Sequence, residues 1–561
     1  MRLIECVPNF SEGRRPEVIA AIRDAAASVA GVTILHVDPG QATNRTVLTF
    51  AGEPEPVIEA AFRAIRTAAG LIDMRSHTGE HPRMGATDVC PLIPISGISL
   101  EEAAGYARQL AQRVGAELAI PVYLYEAAQP DPSRKNLAVI RAGEYEGLSR
   151  KLADPRWAPD FGPKTFNPQS GATVIGARDF LVAFNINLNT TSTRRANAVA
   201  FDVREQGRPR RDGDPVTGKV VTDSAGQPVM IPGTLKAVKA IGWYIAEYGT
   251  AQVSMNLTDL SVTPLHVAFD EVCRKAESRG LRVTGSELVG LVPLKSLLDA
   301  GRYFLTKQQR SVGVPESELI TIAIRSMGLN ELAPFKPEER ILEYRLRQSE
   351  RRPLVRLSLE GFVNETASES PAPGGGSVAA AVGALGAALG AMVANLSAHK
   401  PGWDQRWAGF SGWAEKGQRI KAELLRLVDD DTEAFSAVMV ALGMPKATPA
   451  ELAARKAALE TANRRAVEVP YRVMQVSLQS FELLEAMARE GNPASASDAG
   501  VGALCARAAV RGAWLNVRIN LSTPAKAAEF EALLSDGTRL VKEAEELEAR
   551  VLAVVQEKIK V

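Results

Sequence analysis

Ser377–Ser397 reads SVAAAVGALGAALGAMVANLS, a run without charge and long enough to span a bilayer. Its make-up decides what the C-terminal third of the chain becomes. Most of it is Ala and Gly, which gain little on leaving water compared with Leu or Phe. Small residues at close spacing also let helix backbones approach one another. The run therefore predicts the centre of a tightly packed helical bundle, with no membrane span. Beyond Pro373 the surrounding chain is likewise Ala-rich and helical in pattern. Thr448-Pro449-Ala450-Glu451 places Thr at an N-cap, Pro at the first helical position and Glu at the third, a strong helix start. Pro470 is expected to kink or end that helix, and Pro524 to open the last one.

Upstream the pattern changes. Residues 346–356 are charged and weakly periodic and read as a linker. Before them, strand and helix signals alternate: strand 2–8, helix 15–29, strands 32–38 and 45–51, helix 54–70, strand 88–96. This β-α-β-β-α-β order is the split βαβ arrangement. A helix near 99–117 and a strand at 120–125 extend it. A second α/β unit is expected from Thr173, with strands 180–188, 237–247, 251–257 and 288–293 and a helix over 264–279. Within it, 208–234 reads as a surface excursion in which Lys219–Thr222 and Pro228–Ile231 form a hairpin. The fold class is thus α/β, two α+β subdomains with split-βαβ-like mixed sheets, followed by an all-α helix bundle. The corresponding domains are 1–172, 173–345 and 357–561, joined by the linker at 346–356.

A chain of 561 residues is too long for one core, in keeping with that division. Net charge +1 argues against a nucleic-acid coat or a polybasic membrane anchor. The four cysteines are scattered without a C-x-x-C pair, as reduced thiols of a cytoplasmic protein are. Strand-like Leu3–Val7 follows Met1-Arg2 directly, so no secretory signal is expected.

His77–Cys90 (HTGEHPRMGATDVC) carries two of the five histidines. Backbone before a proline is pushed toward extended geometry, which presents His81 from a loop. A His flanked by Glu80, Arg83 and Asp88 suits proton transfer; a polar loop that satisfies its own backbone reads the same way. Asp38 and Arg45 fall at the ends of successive strands and share one sheet edge, as turn anchors or as functional groups. Gly162–Gly171 (GPKTFNPQSG) offers the charge of Lys164 and the flat face of Phe166, either as a plain linker or as a seat for an aromatic heterocycle. In the helical part, Ile420, Leu424, Leu427, Val428, Phe435, Val438 and Leu442 mark one helix face. Asp431 falls on that face, while Asp429, Asp430 and Glu433 read as solvated. A carboxyl on a buried stripe is either hydrogen-bonded to another helix or poised as an acid or base. Gly374, Gly375, Gly376 and Ser377 open the Ala-rich helix, as an anion site or a close helix crossing. Asn516 and Asn520, one turn apart, share a face.

Many of these segments resemble the formimidoyltransferase-cyclodeaminase family, the bifunctional folate enzymes of histidine breakdown. Cys6–Gly13 (CVPNFSEG), Thr43–Thr46 (TNRT), Gly79–Gly85 (GEHPRMG), Asp88–Pro91 (DVCP), Arg141–Tyr145 (RAGEY), Trp157–Pro163 (WAPDFGP), Phe184–Leu188 (FNINL) and Leu288–Leu294 (LVGLVPL) resemble the transferase half. Ala372–Ser377 (APGGGS), Leu427–Asp431 (LVDDD) and Asn516–Leu521 (NVRINL) resemble the cyclodeaminase half. The resemblance implies that His81 is the transferase acid/base and that Gly162, Pro163, Lys164, Thr165, Phe166, Asn167, Pro168, Gln169, Ser170 and Gly171 contact folate. It further implies that Asp431 is the cyclodeaminase acid and that the helical domain dimerises in a homo-oligomer. The chain departs from the family pattern at 208–234, which looks like an insertion, and at Ser170, where some members carry a large aromatic residue.

The implied substrates are N-formimidoyl-L-glutamate and (poly)glutamylated tetrahydrofolate, the latter a co-substrate, with no metal, nucleic acid or membrane. Glu80 or Asp88 would then hold the imidazole of His81, and Arg45 or Arg83 would clamp a glutamate carboxylate. Gly374–Ser377, Glu433, Asn516 and Asn520 would border the cyclodeaminase pocket. Two alternatives are a transferase whose helical domain serves assembly and a folate-binding scaffold.

Overall fold

In this computed structural model the described residues are 2–41, 44–79, 82–213, 217–347, 354–370, 372–522 and 529–559. Pro8, which has no amide to give a ladder, divides the first strand into β1 (Leu3–Cys6) and β2 (Asn9–Phe10). The two pieces share one lane between β4 (Arg45–Gly52) and β5 (Thr87–Ser96). With α1 (Pro16–Ala27), β3 (Val32–Gly40) and α2 (Pro54–Leu71), the antiparallel order β5-β1-β4-β3 is the expected split βαβ. Val18 and Ile22 of α1 and Phe62 and Ile65 of α2 meet Ile4, Leu48 and Phe50 of the sheet in one core.

α3 (Leu100–Glu117) then leads to β6 (Val122–Glu126), and β7 (Thr173–Ala177) lies between β5 and β6, parallel to both. Thr173–Ala177 therefore belongs to the first sheet and does not begin the second unit. Every residue of β7 is buried, and its mostly apolar run fits an inner strand of either sheet.

The second sheet repeats the same topology. It comprises β8 (Val182–Leu188), β9 (Val238–Ile245), β10 (Thr250–Leu257) and β11 (Val283–Val289), in antiparallel order β9-β10-β8-β11. Between these strands come α4 (Thr193–Val203) and α5 (Leu265–Glu277). The last strand precedes its expected place because Gly290, at φ +80°, turns the chain. In the excursion Thr222 does bridge Pro228, but Lys219–Val220 pairs with Arg211–Asp212 and Met230–Ile231 with Arg208–Pro209. The excursion thus folds back onto its own entry.

Two compact units result: residues 1–297 with 327–350, and 298–326 with 351–561. Most of α6 (Leu294–Lys307) and all of α7 (Glu316–Ser326) therefore group with the helical part. There the Gly313 carbonyl accepts hydrogen bonds from Asn395 Nδ2 at 2.9 Å and Gln418 Nε2 at 3.1 Å. Within the expected linker, residues up to 347 continue α8 (Leu342–Arg347) and a turn begins at Leu354.

The helical unit continues through α9 (Gly375–Ala398), α10 (Trp407–Leu442), α11 (Pro449–Leu478), α12 (Ser480–Glu490), α13 (Ala496–Asn520) and α14 (Glu531–Lys558). α9 packs against α10 and α13 and is mostly buried, although its length and composition would allow it to cross a membrane. A Cβ at Gly386 would come within 2.8 Å of the Gly502 carbonyl, so the close crossing of α9 and α13 requires a glycine there. Thr448 and Glu451 form the expected capping box of α11, a feature that contributes about 1 kcal/mol.

Pro470 does not end α11, which runs through it. A proline inside a helix orphans the carbonyl four residues earlier. Here that carbonyl, Ala466 O, accepts Asn520 Nδ2 at 2.8 Å from α13. Pro524, expected to open the last helix, lies outside the described residues.

Candidate active sites

Glu80 and His81 lie outside the described residues; hydrogen bonds fix the chain on either side of them. Asn44, at φ 47°, accepts the Gly13 amide at 3.0 Å and donates to Thr78 O at 2.9 Å. His77 Nε2 lies 3.0 Å from Asn44 O, and its Nδ1 accepts Arg83 Nε at 3.2 Å. An imidazole held between an acceptor-only and a donor-only group is neutral. Burial pushes its pKa down in the same sense.

Arg83 is not free to clamp a substrate. It donates to Glu146 at 2.6 and 2.8 Å and to Glu144 at 3.3 Å, which holds its pKa up. Asp88, also buried, accepts the Met84 amide at 3.0 Å and Arg141 Nη2 at 2.7 Å. Its described contacts thus tie down the turn and Arg141, where an imidazole partner was one expectation.

A cavity of about 790 Å³ opens beside this turn, with Asn9, Arg45, Tyr125, Arg141, Arg178 and Lys239 in its wall. Its size is that of a small-molecule site. Arg45 donates through Nη2 to Asn9 Oδ1. Burial lowers its pKa to about 10, Asp88 opposing the shift and Arg141 reinforcing it. Arg178 and Lys239 have no carboxylate within ion-pair distance among the described residues. Behind Arg178, Glu5 is fully buried on β1, and burial pushes its pKa up to about 7; Arg178 opposes the shift and Glu343 adds to it. None of Glu5, Arg178 and Lys239 stands out in the sequence, because only tertiary structure brings them together.

Asp38 is exposed on edge strand β3 opposite Val47 and does not line the cavity. Gly162–Gly171 does not line it either. That loop is fastened to the histidine segment instead: Met74 N donates to Gln169 O and Ala86 N to Ser170 O, each at 2.9 Å. Asn167 Oδ1 accepts the Gln169 and Ser170 amides at 3.1 Å. The Tyr145 ring lies 5.5 Å from Phe166, and its hydroxyl donates to Pro168 O at 2.5 Å.

In the helical unit the first turn of α9 meets the middle of α10. Ser377 Oγ is 3.0 Å from Asp431 Oδ2, 2.9 Å from Val428 O and 3.2 Å from Thr432 Oγ1. A Cβ at Gly376 would lie 2.2 Å from Asp431 Oδ1, and one at Gly375 would lie 2.9 Å from Asn516 Nδ2. The protein's own carboxyl therefore occupies the helix start read from the sequence as a possible anion site. Burial raises the Asp431 pKa, and hydrogen bonds from the Ser377 side chain and amide oppose the rise. Gly375, Gly376, Ser377, Asp431 and Asn516 thus come together.

Two residues grouped with them do not. Glu433 is exposed and paired with Arg465 at 3.0 Å. Asn520 serves the carbonyl that Pro470 orphans. Asp429, read as solvated, is buried and accepts the Leu354 amide at 3.0 Å, because a segment distant in sequence covers it. The stripe on α10 is buried through Val428, whereas Phe435 and Leu442 are exposed.

The comparisons agree with this division. Residues 3–178 match the formiminotransferase domain N-terminal subdomain, 183–347 the formiminotransferase domain, and 358–537 the formiminotransferase-cyclodeaminase model. The chain is 45% identical over 559 residues to formimidoyltransferase-cyclodeaminase of Gallus gallus, covering 99% of each. It is 45% identical over 521 residues to that of Mus musculus, covering 93% of this chain and 92% of that one. Over 202 residues it is 39% identical to methenyltetrahydrofolate cyclohydrolase of Methylorubrum extorquens, covering 36% of this chain and 97% of that one. The two α/β subdomains and the helical unit are those of a chain that belongs to the formimidoyltransferase-cyclodeaminase family.

Proposed function

We propose that this chain transfers the formimidoyl group of N-formimidoyl-L-glutamate to N5 of tetrahydrofolate and then closes 5-formimidoyltetrahydrofolate to 5,10-methenyltetrahydrofolate with loss of ammonia, as a step of histidine degradation. The observation that carries the reading is Asp431, a carboxyl raised in pKa by burial and seated where Gly376 leaves room for no side chain.

In the transfer, N5 attacks the protonated amidine carbon. His81 gives a proton to the glutamate nitrogen as its bond to carbon breaks, and the proton lost by N5 restores the imidazolium. The cavity beside the turn takes the reactants. Arg178 and Lys239 are the wall cations for their carboxylates, and Gly162–Gly171, outside that wall, takes the part of the folate that extends beyond the cavity. In the cyclisation, N10 attacks the formimidoyl carbon and Asp431 protonates the amine nitrogen. The carbon–nitrogen bond breaks, ammonia leaves, and the N10 proton restores the acid.

Self-association of the helical unit is part of the proposal, supported by exposed Leu385, Leu396, Leu515 and Ile519 on α9 and α13. A cytoplasmic location is supported by four free cysteines. The test supplies both substrates and follows methenyltetrahydrofolate by absorbance and ammonia by assay. Wild-type protein is expected to release one ammonia per methenyltetrahydrofolate formed; absence of either product contradicts the proposal.

A further inference from the structure

Glu5 is a buried carboxyl group that the proposed transfer leaves unused. Ile4 and Cys6 on either side of it lie in the core with α1 and α2. Successive side chains of a strand point to opposite faces, so Glu5 faces away from those helices, toward the side on which Val7 lines the cavity. It is 3% exposed. Its cross-strand neighbours are Ala51 of β4 and Ile93 of β5, and Ala51 packs with Leu35 and with Leu342 of α8. No hydrogen bond to its carboxyl forms among the described residues. A charge so placed is costly unless a cation answers it. That cation is Arg178, whose amide donates at 3.1 Å to Leu92 O, next to the Ile93 that Glu5 faces. Arg178 lines the cavity, and its Nη1 donates to Asp179 O at 2.9 Å. It has no ion-pair partner among the described residues. It therefore acts on Glu5 through space and stays open to an anion in the cavity.

We propose that Glu5 is a positioning residue for the anionic substrate, taking up a proton from solvent when a carboxylate of N-formimidoyl-L-glutamate pairs with Arg178. This rests on the cavity being where that substrate binds. The incoming charge cancels the field of Arg178 at Glu5, and the buried carboxyl then holds a proton more firmly. The other charged groups around it do not supply a replacement cation. Glu343 of α8 adds negative charge and accepts the Leu294 amide at 2.7 Å. Arg345 of α8 directs Nη2 to Leu35 O at 2.8 Å, and β4 and β5 present apolar residues. Asp179, in the cavity wall, draws on the same Arg178. Burial and Glu343 already raise the Glu5 pKa to about 7, so a further rise moves protons at neutral pH. Coupling is reciprocal: the protonated form binds the anion more tightly, and affinity falls as pH rises through 7.

The test is calorimetric titration of the full chain with N-formimidoyl-L-glutamate, without tetrahydrofolate so that nothing turns over, in two buffers of different ionisation enthalpy. With a shift of about one unit, uptake of about half a proton per site is expected near pH 7.5, and affinity falls up to about tenfold between about pH 6 and pH 9. Glu5→Gln is expected to lose that uptake and to keep the low-pH affinity throughout, which a purely structural Glu5 would not produce. Binding without buffer dependence, or with equal uptake in Glu5→Gln, overturns the proposal and leaves the reading of the cavity intact. Absence of binding to the wild type overturns that reading and the proposal with it. Should Glu5→Gln not fold, infrared difference spectra of wild-type protein decide the matter. The substrate is expected to exchange a glutamate carboxylate band of the protein for a protonated carboxyl C=O band, and no such exchange refutes the proposal.

Discussion

Asp88 and Asp431 are both carboxyl groups drawn out of water, one at the end of a sheet and the other inside a helix bundle. Asp88 has Arg141 at 2.7 Å and the Met84 amide at 3.0 Å. Asp431 has a serine hydroxyl and no ion pair among the described residues. A short ion pair ties a carboxyl into the scaffold, whereas burial without one favours the proton at Asp431. The difference fits the proposed roles, with Asp88 tying down the Met84 turn and Arg141 and Asp431 giving a proton.

The largest effects come from removing the two proposed proton donors. Asp431→Ala is expected to slow ammonia release about a hundred- to ten-thousand-fold while transfer continues. His81→Ala is expected to do the reverse, stopping transfer while preformed 5-formimidoyltetrahydrofolate still cyclises. Loss of both steps in either variant would break the comparison. Asp88→Ala strands Arg141 at the cavity wall. It should destabilise the first unit by about 3 kcal/mol in denaturant titrations, and a change well under 1 kcal/mol would make the pair ornamental.

Glu5 sharpens the same contrast, since burial raises its pKa from 4.5 to about 7 even with Arg178 nearby. The folded chain binds the extra proton, so the stabilising contribution is full below pH 4.5 and is lost as pH rises through 7. Glu5→Gln, which mimics the neutral form, should therefore stabilise the protein by up to about 3 kcal/mol at pH 8 and hardly at all at pH 4. The smallest effect is that of Glu433→Ala, which removes an exposed pair with Arg465 and should change stability by less than about 1 kcal/mol.

Most elements were legible in the chain because periodicity and caps are local. The split βαβ order, the Thr448–Glu451 start and the Ala-rich central helix all follow from residues near one another in sequence. What escaped depended on distant partners. β7 lies parallel between β5 and β6, a pairing that its own residues do not specify. α11 runs through Pro470 because Asn520, fifty positions later, accepts the role of donor to Ala466 O. Asp429 is buried by Leu354, and the Arg83 that looked available to substrate is held by Glu144 and Glu146. At the helical site, helix register set Asp431 on the apolar stripe and read Glu433 as solvated, but it could not show that Asn520 turns away to Ala466 O.

The central claim is that Asp431 donates the proton that releases ammonia. Supplying Asp431→Ala with N-formimidoyl-L-glutamate and tetrahydrofolate tests it most directly, with ammonia and methenyltetrahydrofolate followed together. The account predicts that glutamate is released and 5-formimidoyltetrahydrofolate accumulates without ammonia. Ammonia release at the wild-type rate would contradict it.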